Sequence, residues 1–278
     1  MRSIKIVADS SCDIFQLENI CYSYAPMKII TEEREFSDDA SLNIHEMVEF
    51  LSQYRGKSQS SCPNTNDWLE AFGDAEDIFC VTITSGLSGS HNSACLAKQL
   101  YEEKHPDRRV HVFDSLSAGP EIALIIEKIE EDVLKGLQFE AICHHITEYM
   151  KNTGLVFMLK SLTTFANNGR VSPVVAKLVG ITGICIVGKA SNQGTLEPMH
   201  KYRGEKKAVE TLVNVLKKEG CSGRKISIGH CQNESAAEML KELILQTFQD
   251  AQIEIHKLKG LCSFYAEKGG ILIGFEKA

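Results

Sequence analysis

The sequence predicts an α/β protein in two parts. Residues 1–153 read as a Rossmann-like domain on a parallel sheet, and residues 154–278 as an α+β domain with a mixed or antiparallel sheet. Three observations carry this. Through the first half, apolar β-branched runs alternate with segments of helical periodicity, the pattern of parallel strands joined by helices. Three of those runs end in small polar turns, Asp9-Ser10, Thr84-Ser85 and Asp114-Ser115. Beyond Thr153-Gly154 the order changes, and strands pair through hairpin signals as well as through helices.

Ser3 to Ala8 is the first strand, and Tyr22 to Phe36, with Pro26, supplies one or two short ones. Asn43 with Glu46 three residues on has the form of a capping box, followed by Ile44, Met47, Val48 and Leu51 at helical spacing. Ser58 to Asn64 is a loop dense in hydroxyls, ahead of a short helix from Asn66 to Phe72. Ile78 to Ile83 is a buried strand, and a helix resumes at Asn92. Arg109 to Phe113 is a strand, Pro120 opens an Ile-rich helix, and a second helix spans Gln138 to Lys151. Leu155 to Leu159 starts the second part, with a short helix to Asn167, a stop at Asn168-Gly169 and a helix from Pro173. Ile184–Val187 and Thr195–Met199 flank a hairpin turn. Helices at Glu205–Glu219 and Glu234–Phe248 alternate with strands at Lys225–Gly229, Gln252–His256 and Gly270–Phe275.

The stretch from Ile78 to Ser93 organises the chain. It is strand, small-residue turn, helix, and the turn holds Ser85, Ser88 and Ser90 between Gly86 and Gly89. Free backbone N–H groups and the positive end of a helix dipole favour an anion there. A nucleoside-triphosphate loop would end in Gly-Lys-Ser/Thr, which is missing. A nucleophile elbow, G-x-S-x-G, fails at its last position, where Ser90 replaces glycine. A carboxylate or phosphate cradle of hydroxyls and amides remains, beside the plainer reading that these serines cap a helix. Convergence decides between them. Strand ends of a parallel sheet share one edge, where ligands bind. The turns at Asp9, Thr84 and Asp114 therefore meet, and the Ser60-Ser61 loop can join them. The two aspartates are expected to accept hydrogen bonds and fix the turns.

Composition narrows the partners. Of 278 residues 43% are hydrophobic and 24% charged, ordinary for a globular protein with a substantial core. A net charge of −7 with no long basic run argues against nucleic acid. No apolar run approaches a membrane span, and the N-terminus leads straight into a strand, so neither a leader nor a membrane anchor is expected. Ten scattered cysteines without a C-x-x-C pair read as reduced thiols of a cytoplasmic protein, with no metal site and no other cofactor. His144-His145 read as surface residues and Trp68 as a core or lid anchor.

Taken together, these segments resemble the DegV family of bacterial fatty-acid-binding proteins. The matching motifs are Val7-Ala8-Asp9-Ser10-Ser11-Cys12-Asp13, Ser60-Ser61-Cys62-Pro63, Thr84-Ser85-Gly86-Leu87-Ser88-Gly89-Ser90, Asp114-Ser115, Asn168-Gly169-Arg170-Val171-Ser172 and Tyr202-Arg203. The resemblance spans nearly the whole chain. It implies a carrier, not an enzyme, that buries a long-chain fatty acid and holds its carboxylate at a Ser-rich edge between the domains. Ser60 and Ser88 stand at the positions of the two carboxylate-binding hydroxyls, with Ser61 and Ser85 beside them, and Arg170 matches a head-group arginine. Some members present the acid to a separate fatty acid kinase. Family members commonly carry Gly-Thr-His-x-Gly-Pro-Gly near the C-terminus. Here Ala266 falls about where the histidine would be and Lys268-Gly269 replaces Gly-Pro, which weakens the kinase expectation and leaves Lys268 as a substitute charge. The competing reading is a serine hydrolase. Ser88 would be its nucleophile, and Ser88, Asp114 and His230 follow α/β-hydrolase order.

Overall fold

The computed structural model describes residues 2–171, 175 and 183–278. The helix expected from Pro173, and Ser172 of the matched motif, lie outside the described residues.

The chain opens with β1 (Ile4–Asp9) and β2 (Cys21–Ala25). It then makes a small antiparallel sheet from β3 (Lys28–Thr31), β4 (Glu35–Ser37) and β5 (Ser58–Ser61). β6 (Asp77–Thr82) and β7 (Arg109–Asp114) return beside β1. The first large sheet has the order β2-β1-β6-β7, all parallel, with a burial pattern in β6 that is apolar on both faces. β8 (Thr153–Leu159), the hairpin β9 (Ile184–Ala190) and β10 (Leu196–Arg203), β11 (Cys221–His230), β12 (Gln252–Lys257) and β13 (Ile271–Lys277) form the second. Its order is β10-β9-β8-β13-β11-β12, antiparallel except for β11 with β12, so the sheet is mixed.

Three local expectations need correction. Tyr22 to Phe36 contains three strands rather than one or two. Ser58 to Ser61 is a strand, not a loop, because its backbone pairs with β3, Ser60 opposite Ile29. Serine has little strand preference of its own, and a tertiary partner overrides it. Near Asn43 only half of the capping box forms, the Asn43 side chain accepting the Glu46 N–H. The reciprocal box appears instead at Asn64 and Asp67. A further helix, Gly260–Ala266, was not visible in the sequence.

The helix Pro120–Leu134 lies between the two sheets. Ile122, Ile125, Ile126 and Ile129 pack on Ile6 and Phe79 of the first. Its start touches β13 of the second at Gly274, where a Cβ would lie 2.5 Å from the Pro120 carbonyl carbon and the Glu121 nitrogen. Along β8, alternate residues divide two environments. Val156 and Met158 pack with the helices Glu205–Lys218 and Glu234–Thr247. Leu155, Phe157 and Leu159 face the other way, toward the first half of the chain. All ten cysteines are free, His144 and His145 are exposed, and Trp68 is fully buried against Phe72.

Candidate functional site

The polar strand ends do converge. Asp9, at the end of β1, is fully buried. Its Oδ2 accepts the Ile83 N–H at 2.9 Å and the Ser90 hydroxyl at 2.6 Å, and its Oδ1 accepts the Ser11 hydroxyl. Burial pushes its carboxyl above the usual range against the pull of those donors. Asp114, at the end of β7, accepts N–H groups from Ser85 (3.0 Å) and Leu116 (3.2 Å). Both aspartates thus hold turns, as the pattern suggested.

In front of this edge is a cavity with about 930 Å³ of empty space, its open mouth included. Leu155, Phe157 and Leu159 of β8 and Leu272 of β13 form one wall, and Met27 and Leu261 stand among the apolar residues of another. The polar residues cluster. Ser60, Ser88, Arg170 and Tyr265 all line the cavity. Ser60 Oγ and the Tyr265 hydroxyl are 2.7 Å apart, and the Ser60 N–H donates to Asn168 Oδ1 at 3.2 Å. Arg170 donates from Nη1 to the Asn168 carbonyl and from Nε to the Leu87 carbonyl at 3.0 Å. Ser88 Oγ accepts the Ser90 N–H at 3.2 Å, which leaves the hydroxyl proton for a ligand. Burial raises the Tyr265 phenol, so it is a neutral donor.

This arrangement suits a monoanion on an apolar stem. Two hydroxyl donors, a phenol and a guanidinium line one cavity, and hydrocarbon side chains make up most of the surroundings.

Of the serines expected at the site, Ser60 and Ser88 line the cavity. Ser61 and Ser85 are exposed and do not. Neighbours on a strand face opposite ways, so Ser60 turns inward and Ser61 outward, its hydroxyl donating to the Cys62 carbonyl at 3.3 Å. Ala266 is part of the lining, whereas Lys268 pairs with Glu49 at 2.6 Å outside it. The Ser88–Asp114–His230 order does not become a triad among the described contacts. Asp114 is occupied by amides, and His230 Nδ1 accepts the Asn233 N–H at 3.1 Å. Tyr265 was missed by the sequence reading. An aromatic residue one position before Ala266 was the available signal.

Comparison with known proteins gives consistent matches along the chain. Residues 3–278 match the family model described as "Uncharacterised protein, DegV family". A DegV domain-containing protein of Streptococcus pneumoniae is 45% identical over 276 residues, 98% of each chain. Among solved structures, the Streptococcus pneumoniae Fatty Acid Kinase (Fak) B3 protein loaded with linoleic acid superposes with a TM-score of 0.96 at 45% identity, over 99% of this chain and 100% of that one. A DegV family protein from Eubacterium eligens loaded with heptadecanoic acid gives 0.95 at 42% identity, with 99% and 100% coverage.

Proposed function

This chain belongs to the DegV family, and we propose that it is a carrier that buries a long-chain fatty acid without transforming it. The observation that carries this reading is the cavity, apolar along β8 and lined also by Ser60, Ser88, Arg170 and Tyr265. Each buried methylene contributes about 0.8 kcal/mol, so a long acyl chain needs only a modest clamp at its carboxylate. Fatty acids bound in the similar proteins from Streptococcus pneumoniae and Eubacterium eligens support it. Native mass spectrometry of the protein purified from bacteria tests it. A co-purified mass equal to a fatty acid is expected, and a ligand-free protein that takes up no added acid rejects the proposal.

The head group is assigned to Ser60, Ser88, Tyr265 and Arg170, and the outward-facing Ser61 and Ser85 are left out. Arg170 serves by charge as well as by position, since its guanidinium both fixes the Leu87 carbonyl and faces the cavity. Arg170→Gln is expected to weaken binding by roughly 1.5–3 kcal/mol, the range of charge-assisted hydrogen bonds. Unchanged affinity by calorimetry removes the arginine from the site.

A fatty acid kinase is proposed as the partner, supported by the similarity to the Streptococcus pneumoniae Fatty Acid Kinase (Fak) B3 protein. With Ala266 in the lining and Lys268 tied to Glu49, neither adds a donor beside the carboxylate. Acyl-phosphate formation with such a kinase and ATP is therefore expected to be slower than with a relative that carries histidine there. Equal turnover refutes this. The two units are taken as residues 1–153 and 154–278 with the acid between them, in a cytoplasmic protein. Among the described residues no helix is long and apolar enough to cross a membrane.

A further inference from the structure

The strands that wall the cavity also give it a direction. β8 runs from Thr153 to Leu159, and Leu155, Phe157 and Leu159 look inward at alternate positions. The segment after Leu159 carries Phe165 and Arg170 to the polar group, the Phe165 ring lying 4.7 Å from the Tyr265 ring. The carboxylate therefore belongs at the Leu159 end.

Toward the Thr153 end of β8 a hydrogen-bonded carboxyl stands behind the lining. Thr153, the first residue of β8, donates its hydroxyl to Glu121 Oε1 at 2.7 Å. Ser117, which lines the cavity, donates its hydroxyl to Oε2 of the same carboxyl at 2.5 Å. Ser117 and Thr153 are each 2% exposed and Glu121 5%. The Glu121 backbone is fixed, because it sits in the first turn of the helix that lies on Gly274 without room for a single methyl group.

We propose that Ser117, held by Glu121 and Thr153, is the stop for the methyl end of the acyl chain and so sets the longest acid the protein accepts. This rests on the carrier reading. An apolar end wall yields by repacking side chains. A hydrogen-bonded carboxyl does not, because displacing Ser117 strips a donor from a buried acceptor, which costs more than another methylene returns.

A homologous series of saturated acids, lengthened one methylene at a time, tests the stop by calorimetry. Wild-type affinity should rise about fourfold per methylene and then break sharply at one length. In Ser117→Ala, which removes both the bulk and the bond to Glu121, the break should come at a longer acid, and in the larger Ser117→Val about one methylene earlier. Reading both variants keeps the test informative if the larger one fails to fold. A break at the wild-type length in the folded variants, or a uniform loss at every length, overturns the stop and leaves the carrier intact. Wild-type protein that binds no acid of any length overturns the carrier, and the stop with it.

Discussion

The double replacement Ser60→Ala with Ser88→Ala is expected to weaken binding of a long-chain acid by about 10²-fold or more. Each hydroxyl bond to a carboxylate contributes about 1.5–3 kcal/mol, and a factor of ten is about 1.4 kcal/mol. The two serines come from different elements, β5 and the turn after β6, so on the proposed reading each reaches the carboxylate from its own segment. Ser88 is ready to donate, because its oxygen already accepts the Ser90 N–H. Ser60 shares a hydrogen bond with Tyr265, and a carboxylate replaces that bond with one from each partner. The effects should fall short of additive, since both serines serve one ligand. Folding should change little, because the Ser60 hydroxyl bonds only the Tyr265 hydroxyl and the Ser88 hydroxyl accepts a single N–H, that of Ser90, whereas Asp9 holds three donors in the buried core. Ser61→Ala with Ser85→Ala is the matched control, two hydroxyls removed from the outer face of the same segments. Equal losses in the two pairs would show that the carboxylate lies outside the cavity.

The fold was largely legible because the sheet signals are local. β6 carries an apolar β-branched run, and the Asp-Ser and Thr-Ser turns mark where parallel strands end. What escaped the sequence is held by distant partners. β5 is a strand because β3 lies beside it, and nothing in Ser58-Gln59-Ser60-Ser61 says so. The helix Gly260–Ala266 begins with glycine and depends on carboxylates from the other end of the chain, with Asp38 accepting the N–H groups of Gly260 (2.7 Å) and Leu261 (2.9 Å). The same limit applied at the site. A serine cluster is visible in one dimension. Which of its members faces the cavity depends on strand alternation, and strand alternation was hidden where β5 read as a loop. Tyr265 stayed unnoticed for the related reason that its helix was not recognised.

Asp13→Asn is expected to make the protein more stable at alkaline pH, by several kcal/mol at the upper end. Asp13 closes the turn after β1 with φ of 61°, a left-handed conformation that aspartate and asparagine tolerate better than most residues. Its Oδ1 accepts the Lys259 N–H at 2.9 Å, just before the helix that carries Tyr265. Its Oδ2 has no strong donor, and the neighbouring Cys262 thiol donates to the Ser11 carbonyl. Burial first, and the nearby Asp38 carboxylate as well, push the Asp13 carboxyl up to about 8. Burial likewise raises Asp38, which also accepts the Ser10 hydroxyl at 2.8 Å, to about 6. Both values exceed the ordinary 3.8, so the folded state holds these protons more tightly than the unfolded chain. Their contribution to stability is therefore complete below pH about 4 and drains away as pH rises, for Asp13 until about 8. The slope from one such group is about 1.4 kcal/mol per pH unit. Asparagine keeps the acceptor for Lys259, matches the shape of the neutral acid and cannot ionise. Urea melts across this range should show wild-type stability falling with pH relative to the variant, with the gap widening until about pH 8 and then levelling. Parallel curves for the two proteins would mean that Asp13 stays ionised in the fold, with its second oxygen reached by a donor.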